Sequence, residues 1–242
     1  MSSSTSSGRP EATAAPTPSE PRRSGAPFYR IAHRAGNNLH ALEAALEGGV
    51  DAIECDFWHA RGRLALRHER KLPGIPVFYD KWFLRWQMGE LSLRDLLKQI
   101  NHRAALFLDI KSSTPRAADA VLELYADNEA MMPHTLVCSK QWKLLDRIAA
   151  AHTEMELFYS IGRGGSIDSL LRRPTAVGHR PAGTSIRHSL LSPGDVRRLH
   201  DAGLRVYTWT VNTRQRAEEL LSWGVDGLIS DEIEVLNMHR DG

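Results

Sequence analysis

Eight apolar runs of strand length, separated by stretches with helical periodicity, constrain the fold of this chain more than any other feature of its sequence. This alternation is typical of βα units arranged around a parallel sheet. The predicted strands are residues 28–34, 52–58, 104–111, 135–139, 155–161, 183–186, 204–211 and 227–230. The clearest predicted helices are residues 39–46, 93–100, 117–126, 142–151, 196–200 and 217–223.

Eight strands, each followed by a helix, match a compact (β/α)8 (TIM) barrel, which belongs to the α/β class. The alternative is an open doubly wound sheet, which usually has fewer strands and a glycine-rich phosphate turn after the first one. Residues 35–38 do not have the spacing of such a turn, so the barrel is favoured. Three glycines follow predicted helices where a left-handed cap is expected: Gly49, Gly203 and Gly224.

The chain divides into a short tail and one domain. Residues 1–27 consist of Ser, Thr, Pro, Gly, Ala and charged residues, with almost no large apolar side chain, so we expect a disordered tail. Residues 28–242 form the predicted barrel domain. Because the sequence has neither the apolar stretch of a secretory signal nor a window of membrane-spanning length, we expect a soluble, cytoplasmic protein without a transmembrane segment.

Charge and cysteine content exclude several classes of partner and scaffold. The net charge of +2 over 242 residues is near balance and the basic residues are scattered, so no nucleic-acid partner is expected. The two cysteines, Cys55 and Cys138, lie in separate apolar runs, which favours buried free thiols over a disulfide.

The stretch from residue 69 to residue 92 does not fit the βα repeat. It contains two prolines and several aromatic side chains, and long insertions without regular structure in compact domains are commonly binding loops or lids. The aromatic residues between Phe78 and Trp86 are compatible with packing, with lining a substrate site, or with peripheral contact to a lipid surface. Packing is the default interpretation.

Carboxylates are concentrated at the ends of two predicted strands. Because side chains alternate along a strand, Glu54 and Asp56 share the inner face while Cys55 points toward the helices. Asp109 ends the third strand, and Lys111 lies on its same face. Oxygen ligands of this type suit a hard divalent cation such as Mg²⁺ or Ca²⁺, and the lysine suits a phosphate.

Two histidines occupy comparable positions. His33 ends the first predicted strand beside Arg34, and His68 follows a predicted hairpin at residues 61–63. An unperturbed pKa near 6.5 lets a histidine act as either acid or base at neutral pH. Two histidines on opposite sides of a bound phosphate would therefore suit general acid–base catalysis.

Together these segments resemble the glycerophosphodiester phosphodiesterase family, from residue 31 to the last predicted strand. The family patterns are an HR pair, G-x-D-x-I-E-x-D, an apolar run ending in HD, E-x-K, W-T-V-N and a closing G-V-D-G-[IL]-[IV]-[ST]-D. Their counterparts here are His33-Arg34, Gly49-Val50-Asp51-Ala52-Ile53-Glu54-Cys55-Asp56, Leu64-Ala65-Leu66-Arg67-His68-Glu69, Asp109-Ile110-Lys111, Trp209-Thr210-Val211-Asn212 and residues 224–231. Each motif is weak alone, but their order and spacing together are specific.

The resemblance implies metal-dependent hydrolysis of a glycerophosphodiester, or of a lysophospholipid-like diester, to a phosphomonoester such as sn-glycerol 3-phosphate and an alcohol. It implies three groups of residues. The acid–base pair would be His33 and His68; the metal ligands would be Glu54, Asp56 and Asp109; and the substrate-binding residues would be Arg34 and Lys111 on the phosphate and Trp209 beside the organic part.

Some residues depart from the family pattern. Ala35 stands where the family has glycine, the E-N-T segment that follows is lost, Asp109 replaces a glutamate, and Glu69 replaces an aspartate. The Asp-x-Lys form is also similar to that of sphingomyelinase D-like phospholipases, which leaves open an attack by the substrate's own hydroxyl that yields a cyclic phosphate. A barrel that binds phosphodiesters without turnover is the third alternative.

Overall fold

The computed structural model describes residues 28–60, 63–68, 70–71, 77–79, 84–86, 92–126, 134–151, 154–163, 166–173 and 181–238. Eight parallel strands form a closed barrel, since the first strand pairs with both the second and the last. Helices connect successive strands and cover the outside of the barrel. The predicted (β/α)8 architecture is confirmed. The predicted tail, residues 1–27, lies outside the described residues.

The barrel strands are numbered in chain order together with four shorter strands of the segment between the second and third barrel strands. The barrel strands are β1 (Tyr29–Ala32), β2 (Ala52–Ala60), β7 (Ala105–Ile110), β8 (Thr135–Ser139), β9 (Glu156–Ile161), β10 (Gly183–Arg187), β11 (Arg205–Trp209) and β12 (Gly227–Ser230). The shorter strands are β3 (Arg63–Leu66), β4 (Arg70–Lys71), β5 (Val77–Tyr79) and β6 (Leu84–Trp86). The helices are α1 (Leu39–Glu47), α2 (Leu93–Ile100), α3 (Pro115–Ala126), α4 (Trp142–Ala149), α5 (Ile167–Leu171), α6 (Pro193–Asp201), α7 (Arg214–Ser222) and α8 (Ile233–Asn237).

All eight predicted strands are present; β8 and β12 have the predicted ends, and the other six differ from the prediction by one to a few residues. The prediction was too long for β1, which ends at Ala32, because His33 and Arg34 turn away into a short 3-10 helix. It was too short for β2, which extends past the barrel to pair with β3. The three predicted cap glycines all have positive φ, between 63° and 83°, as a left-handed cap requires.

The inside of the barrel is filled by aromatic side chains. Phe158 stacks on Tyr207 with ring centroids 4.4 Å apart, and Phe107 meets both rings edge-on. These side chains alternate along their strands with residues that pack outward against the helices. Cys55 faces the helices and Cys138 the barrel interior, and both thiols are buried and free, as predicted. The aromatic layer closes the barrel, so a ligand can enter only above it or below it.

The insertion that was expected to lack regular structure contains three strands. Strands β4, β5 and β6 form a small antiparallel sheet. The expectation of a structureless loop was therefore wrong, because antiparallel neighbours supply the backbone partners for these short strands. The side chains between Phe78 and Trp86 lie outside the described residues, and the predicted lipid contact stays a prediction. In the part of the chain that is described, no helix is both long enough and apolar enough to cross a bilayer.

Candidate active site

An open cavity of about 120 Å³ lies at the mouth formed by the carboxyl ends of the barrel strands. In barrels of this type that end carries the functional residues, because the βα loops leave from it. Seven of the eight predicted site residues line the cavity, and the eighth, Asp56, is buried within hydrogen-bond reach of them. The lining residues are His33, Arg34, Glu54, His68, Phe107, Asp109, Lys111, Cys138, Lys140, Ser185, Trp209, Thr210 and Ile229.

Three carboxylates converge beneath the cavity. Glu54 and Asp56 project inward from β2, and Asp109 projects from the neighbouring β7, where it is the register partner of Asp56. Asp56 is fully buried and Glu54 is 4% exposed. One oxygen from each carboxylate can be chosen so that all three lie within 4.8 Å of one another. Strand alternation alone produces this cluster, as the sequence predicted.

Lys111 neutralises part of this negative charge. Its ammonium lies 2.7 Å from Asp56 Oδ1 and also donates to Asp109. Burial disfavours the charged ammonium, but attraction to Asp109, Asp56 and Glu54 outweighs burial and raises the pKa of Lys111 well above its usual value. The same lysine, with help from His68 and Arg34, outweighs the burial of Asp56 and lowers the pKa of that carboxyl.

Glu54 is in a less favourable environment. Burial is the main cause that raises its pKa well above the usual value, and repulsion from Asp56 adds to it. The backbone amide of Arg34 donates to Glu54 Oε2 at 2.5 Å. Arg34 has a left-handed backbone with φ 55°, which directs this amide toward the carboxylate. A buried carboxylate of this kind needs a cation to carry its charge at neutral pH.

Asn37 supports Asp56 in a way that sequence reasoning missed. Its side-chain amide donates to Asp56 Oδ2 at 3.0 Å, and its carbonyl oxygen accepts from the Asp56 backbone amide at 2.9 Å. The sequence showed that the loop after His33 lacks the expected carboxylate, but it did not show that an asparagine there would bind Asp56. Asn37 thus fixes the position of one carboxylate of the cluster.

His33 is held by a carboxylate from the last strand. Its Nδ1 lies 2.7 Å from Asp231 Oδ1, and the other oxygen of Asp231 accepts from Asn212 at 2.7 Å. The Asn212 carbonyl oxygen accepts in turn from the backbone amide of Asp231 and from the Ser230 hydroxyl. The hydrogen bond with His33 is the main cause that lowers the pKa of Asp231.

This arrangement selects one form of the His33 ring. An ionised Asp231 can only accept, so His33 Nδ1 carries a proton and donates it to the carboxylate. In the neutral ring, Nε2 is then the nitrogen with the free lone pair. Asn212 and Asp231 stand in recognised sequence motifs, but their roles were not predicted because their partner lies near the other end of the chain.

His68 reaches the cavity by a different route. Strand β3 returns antiparallel to the extended end of β2, with Phe57 opposite Leu66. The backbone amide of Arg67 then donates to the carbonyl of Asp56 at 2.9 Å. This pairing places His68, half-buried, above the carboxylate cluster, where its charge acts on Asp56. The predicted hairpin is confirmed, although its turn at residues 61–62 lies outside the described residues.

Another part of the cavity wall is aromatic and basic. Trp209 ends β11, and the Lys140 ammonium lies 5.1 Å from the centre of its ring. Lys140 follows β8 and was not predicted as a site residue, because no neighbouring motif distinguishes it in the sequence. His188, which sequence reasoning considered near the site, lies instead against Arg216, whose guanidinium donates to its ring and its carbonyl.

The donor set fits a hard divalent cation. All three converging groups are carboxylates, which is the ligand chemistry of Mg²⁺ and Ca²⁺. All three residues are less than a tenth exposed, and Glu54 has no cationic side chain within ion-pair distance among the described residues. A bound cation would therefore offset charge that the side chains leave uncompensated.

Comparison with known proteins gives one family. The sequence model of the glycerophosphoryl diester phosphodiesterase family matches residues 60–235. No curated protein sequence matches the chain.

Several solved structures share the fold at low sequence identity. A glycerophosphodiester phosphodiesterase from Parabacteroides distasonis aligns with a TM-score of 0.69 and 20% identity over 90% of this chain and 100% of its own. One from Thermotoga maritima aligns with a TM-score of 0.68 and 20% identity over 86% and 96%. An Oleispira antarctica phosphodiesterase in complex with the product sn-glycerol-3-phosphate aligns with a TM-score of 0.67 and 20% identity over 88% and 97%.

Proposed function

The chain belongs to the glycerophosphoryl diester phosphodiesterase family, whose members are phosphoric diester hydrolases, and from this premise we propose that it hydrolyses a glycerophosphodiester to sn-glycerol 3-phosphate and an alcohol with the aid of a divalent cation. The observation that carries the proposal is the meeting, in one cavity, of a carboxylate-held histidine, a second histidine and three buried carboxylates. This combination supplies a proton acceptor, a proton donor and a cation site around one open cavity.

His33 is the proposed proton acceptor. Asp231 holds its ring so that the lone pair on Nε2 is available, and Asp231 would stabilise the imidazolium that forms when a water molecule is deprotonated. His68 is the proposed donor to the departing alcohol. Because the two histidines are attached to β1 and to the β2–β3 hairpin, they approach the cavity from separate directions.

Arg34 and Lys111 are the proposed phosphate-binding residues. Both side chains line the cavity, and each is oriented by a carboxylate: Arg34 Nε lies 3.6 Å from Asp56, and Lys111 lies between Asp56 and Asp109. Fixed cations of this kind stabilise the negative charge that develops on the phosphoryl oxygens. We propose that Glu54, Asp56 and Asp109 hold the divalent cation, which when bound supplies Lewis-acid stabilisation of the same charge.

Trp209 is proposed to pack against the organic part of the substrate. It is the last residue of β11 and its ring forms part of the cavity wall. The relative from Oleispira antarctica binds sn-glycerol-3-phosphate. The same product is proposed here.

The test is release of sn-glycerol 3-phosphate from a panel of glycerophosphodiesters by the purified full chain. We expect turnover that a chelator abolishes and that added Mg²⁺ or Ca²⁺ restores. His33→Ala should lower kcat by at least about a hundredfold, because general acid–base catalysis contributes about 10²–10⁴ in rate. His40→Ala is the matched control, since His40 is exposed on α1, outside the cavity.

Two results would contradict the proposal. If no diester were turned over while the divalent cation still bound, the barrel would be a phosphodiester-binding protein. If the reaction in ¹⁸O-labelled water gave a cyclic phosphate without solvent oxygen, the substrate's own hydroxyl would be the nucleophile. Incorporation of one labelled oxygen into the phosphomonoester is the expected result.

A further inference from the structure

Two cations at the cavity mouth have no part in the proposed chemistry. Lys140 follows β8 and shares its inward face with Cys138, and both residues line the cavity. Arg187 ends β10 on the same face as Ser185, another lining residue, and its register partner is Trp209. Because β8 is the neighbour of β7 and β10 is the neighbour of β11, both cations lie on the arc of the barrel mouth that runs from Asp109 to Trp209.

Neither cation is paired with a carboxylate in the described part of the chain. Lys111, by contrast, contacts two carboxylates. Burial is the main cause that lowers the pKa of Lys140; the charges of Lys111 and Arg187 act in the same direction, and together they outweigh the attraction to Asp109. Positive charges that lie close together without a directly paired carboxylate create a favourable position for an anion.

Lys140 also occupies the face of Trp209 that would otherwise attract a cation. Its ammonium lies 5.1 Å from the ring centre, within the distance of a cation–π contact. The two side chains meet above Gly162, whose missing Cβ would lie 3.4 Å from Lys140 Cε and 3.5 Å from the Trp209 ring. A quaternary ammonium group would ordinarily be recognised by an aromatic face of this kind. Here it would meet a lysine in the same position and be repelled by it.

We propose that Lys140 and Arg187 form an anionic-headgroup subsite, which makes the enzyme prefer glycerophosphodiesters whose alcohol carries a second anionic group over those that carry a quaternary ammonium. This inference rests on the proposed function, since it assigns the alcohol side of the same cavity. The reacting phosphate lies near the histidines and Lys111, and the second anion lies toward Lys140 and Arg187, beside Trp209.

The first experiment compares kcat/KM for glycerophosphoinositol 4-phosphate and for glycerophosphocholine in the presence of Mg²⁺ and Ca²⁺. We expect the wild type to favour the anionic diester by at least about tenfold. Lys140→Met should reduce this ratio about five- to tenfold, the effect of one partly exposed charge pair. It should also raise turnover of glycerophosphocholine, because the methionine leaves an uncharged side chain against Trp209. Arg187→Gln should change the ratio in the same direction.

The control is Lys143→Met, three residues further along the chain on α4, where Lys143 is exposed and outside the cavity lining. This variant removes the same charge from the protein and should leave the ratio unchanged. The preference of the wild type should also fall as the ionic strength rises, since salt screens an exposed charge pair. A wild type that turns over both diesters equally, or a ratio that Lys140→Met leaves unchanged, would overturn the subsite.

Equilibrium binding separates this inference from the proposed function. The same two diesters are titrated into His33→Ala and into His33→Ala combined with Lys140→Met. Tighter binding of the anionic diester that depends on Lys140 supports the subsite even if the wild type shows no turnover, in which case only the proposed function fails. Turnover without any Lys140-dependent difference in binding or in kcat/KM refutes the subsite and leaves the proposed function in place.

Discussion

The clearest prediction concerns the carboxylate that holds His33. Asp231→Asn keeps the size of the side chain but changes its hydrogen-bonding groups. In the wild type, Asp231 accepts from His33 on one oxygen and from Asn212 on the other. An asparagine side chain has only one acceptor oxygen, so one of these two hydrogen bonds must be lost.

Both orientations of the new amide are unfavourable for catalysis. If its oxygen faces Asn212, its NH₂ group faces His33 Nδ1, which must then accept and leave the proton on Nε2. His33 could no longer act as a base from Nε2. If its oxygen faces His33, its NH₂ group meets the NH₂ group of Asn212 and the ring loses its charged partner.

The structure gives the size of the effect. A hydrogen bond to a charged group contributes about 1.5–3 kcal/mol, which corresponds to about 10- to 150-fold in rate. The Asp231 side chain is 45% exposed while that of His33 is only 16% exposed, so screening moves the expected loss toward the lower half of this range. We expect kcat to fall by about 10- to 50-fold with KM changed less than threefold.

The assay is steady-state release of sn-glycerol 3-phosphate at saturating divalent cation. Asp168→Asn is the matched control, because Asp168 also carries an ion pair, with Arg198, but is exposed on α5. A value of kcat for Asp231→Asn within twofold of the wild type, with the thermal stability unchanged, would refute the reasoning.

Three further predictions concern stability. Because the pKa of Glu54 is raised, the metal-free folded state keeps a proton on this carboxyl at pH values where the unfolded chain, with its ordinary pKa of 4.5, has released it. The stability of the folded state therefore falls as the pH rises above 4.5. In thermal unfolding scans without metal, Glu54→Gln should therefore have a higher Tm than the wild type. The difference in Tm should be absent at pH 4 and should grow as the pH rises above 4.5. An equal difference at all pH values would contradict this. Gly183→Ala should unfold the barrel or lower its stability by about 3 kcal/mol or more in urea unfolding, because the added Cβ would lie 2.3 Å from the carbonyl oxygen of Arg205. The control is Gly194→Ala on α6, where the added Cβ meets no atom closer than 3.7 Å. This variant should be neutral or stabilising by up to about 1 kcal/mol. Phe158→Ala should lower the free energy of unfolding by about 3–5 kcal/mol in the same measurement, because it leaves a cavity at the centre of the barrel interior. A decrease of less than about 1 kcal/mol would show that the aromatic layer does not stabilise the barrel.

The barrel could be predicted from the sequence because its signal is local and repeated. Strands β8 and β12 and helix α2 were predicted with the ends that the structure shows, since turn or cap residues bound their apolar runs. The small sheet of β4, β5 and β6 could not be predicted in the same way. Its strands are two or three residues long and are stabilised by pairing with one another. Strands this short show no recognisable alternation of apolar and polar residues in the sequence.

The positions of site residues could be predicted where two of them lie on the same strand. Glu54 and Asp56 share a face by alternation, and so do Asp109 and Lys111. Contacts between distant segments were missed. No local pattern indicates that Asn37 would bind Asp56, or that Lys140 would cover Trp209, because each contact depends on how distant segments meet in the closed barrel.

The contact between His33 and Asp231 joins residues 198 positions apart, across the seam where β1 meets β12. During synthesis the first of these residues leaves the ribosome long before the second. A nascent chain that ends before β12 has neither the closing strand nor the partner of His33, however well its earlier βα units have formed. Closure of the barrel and orientation of His33 therefore depend on the same last stretch of β12, and a chain that stops before it would lack both.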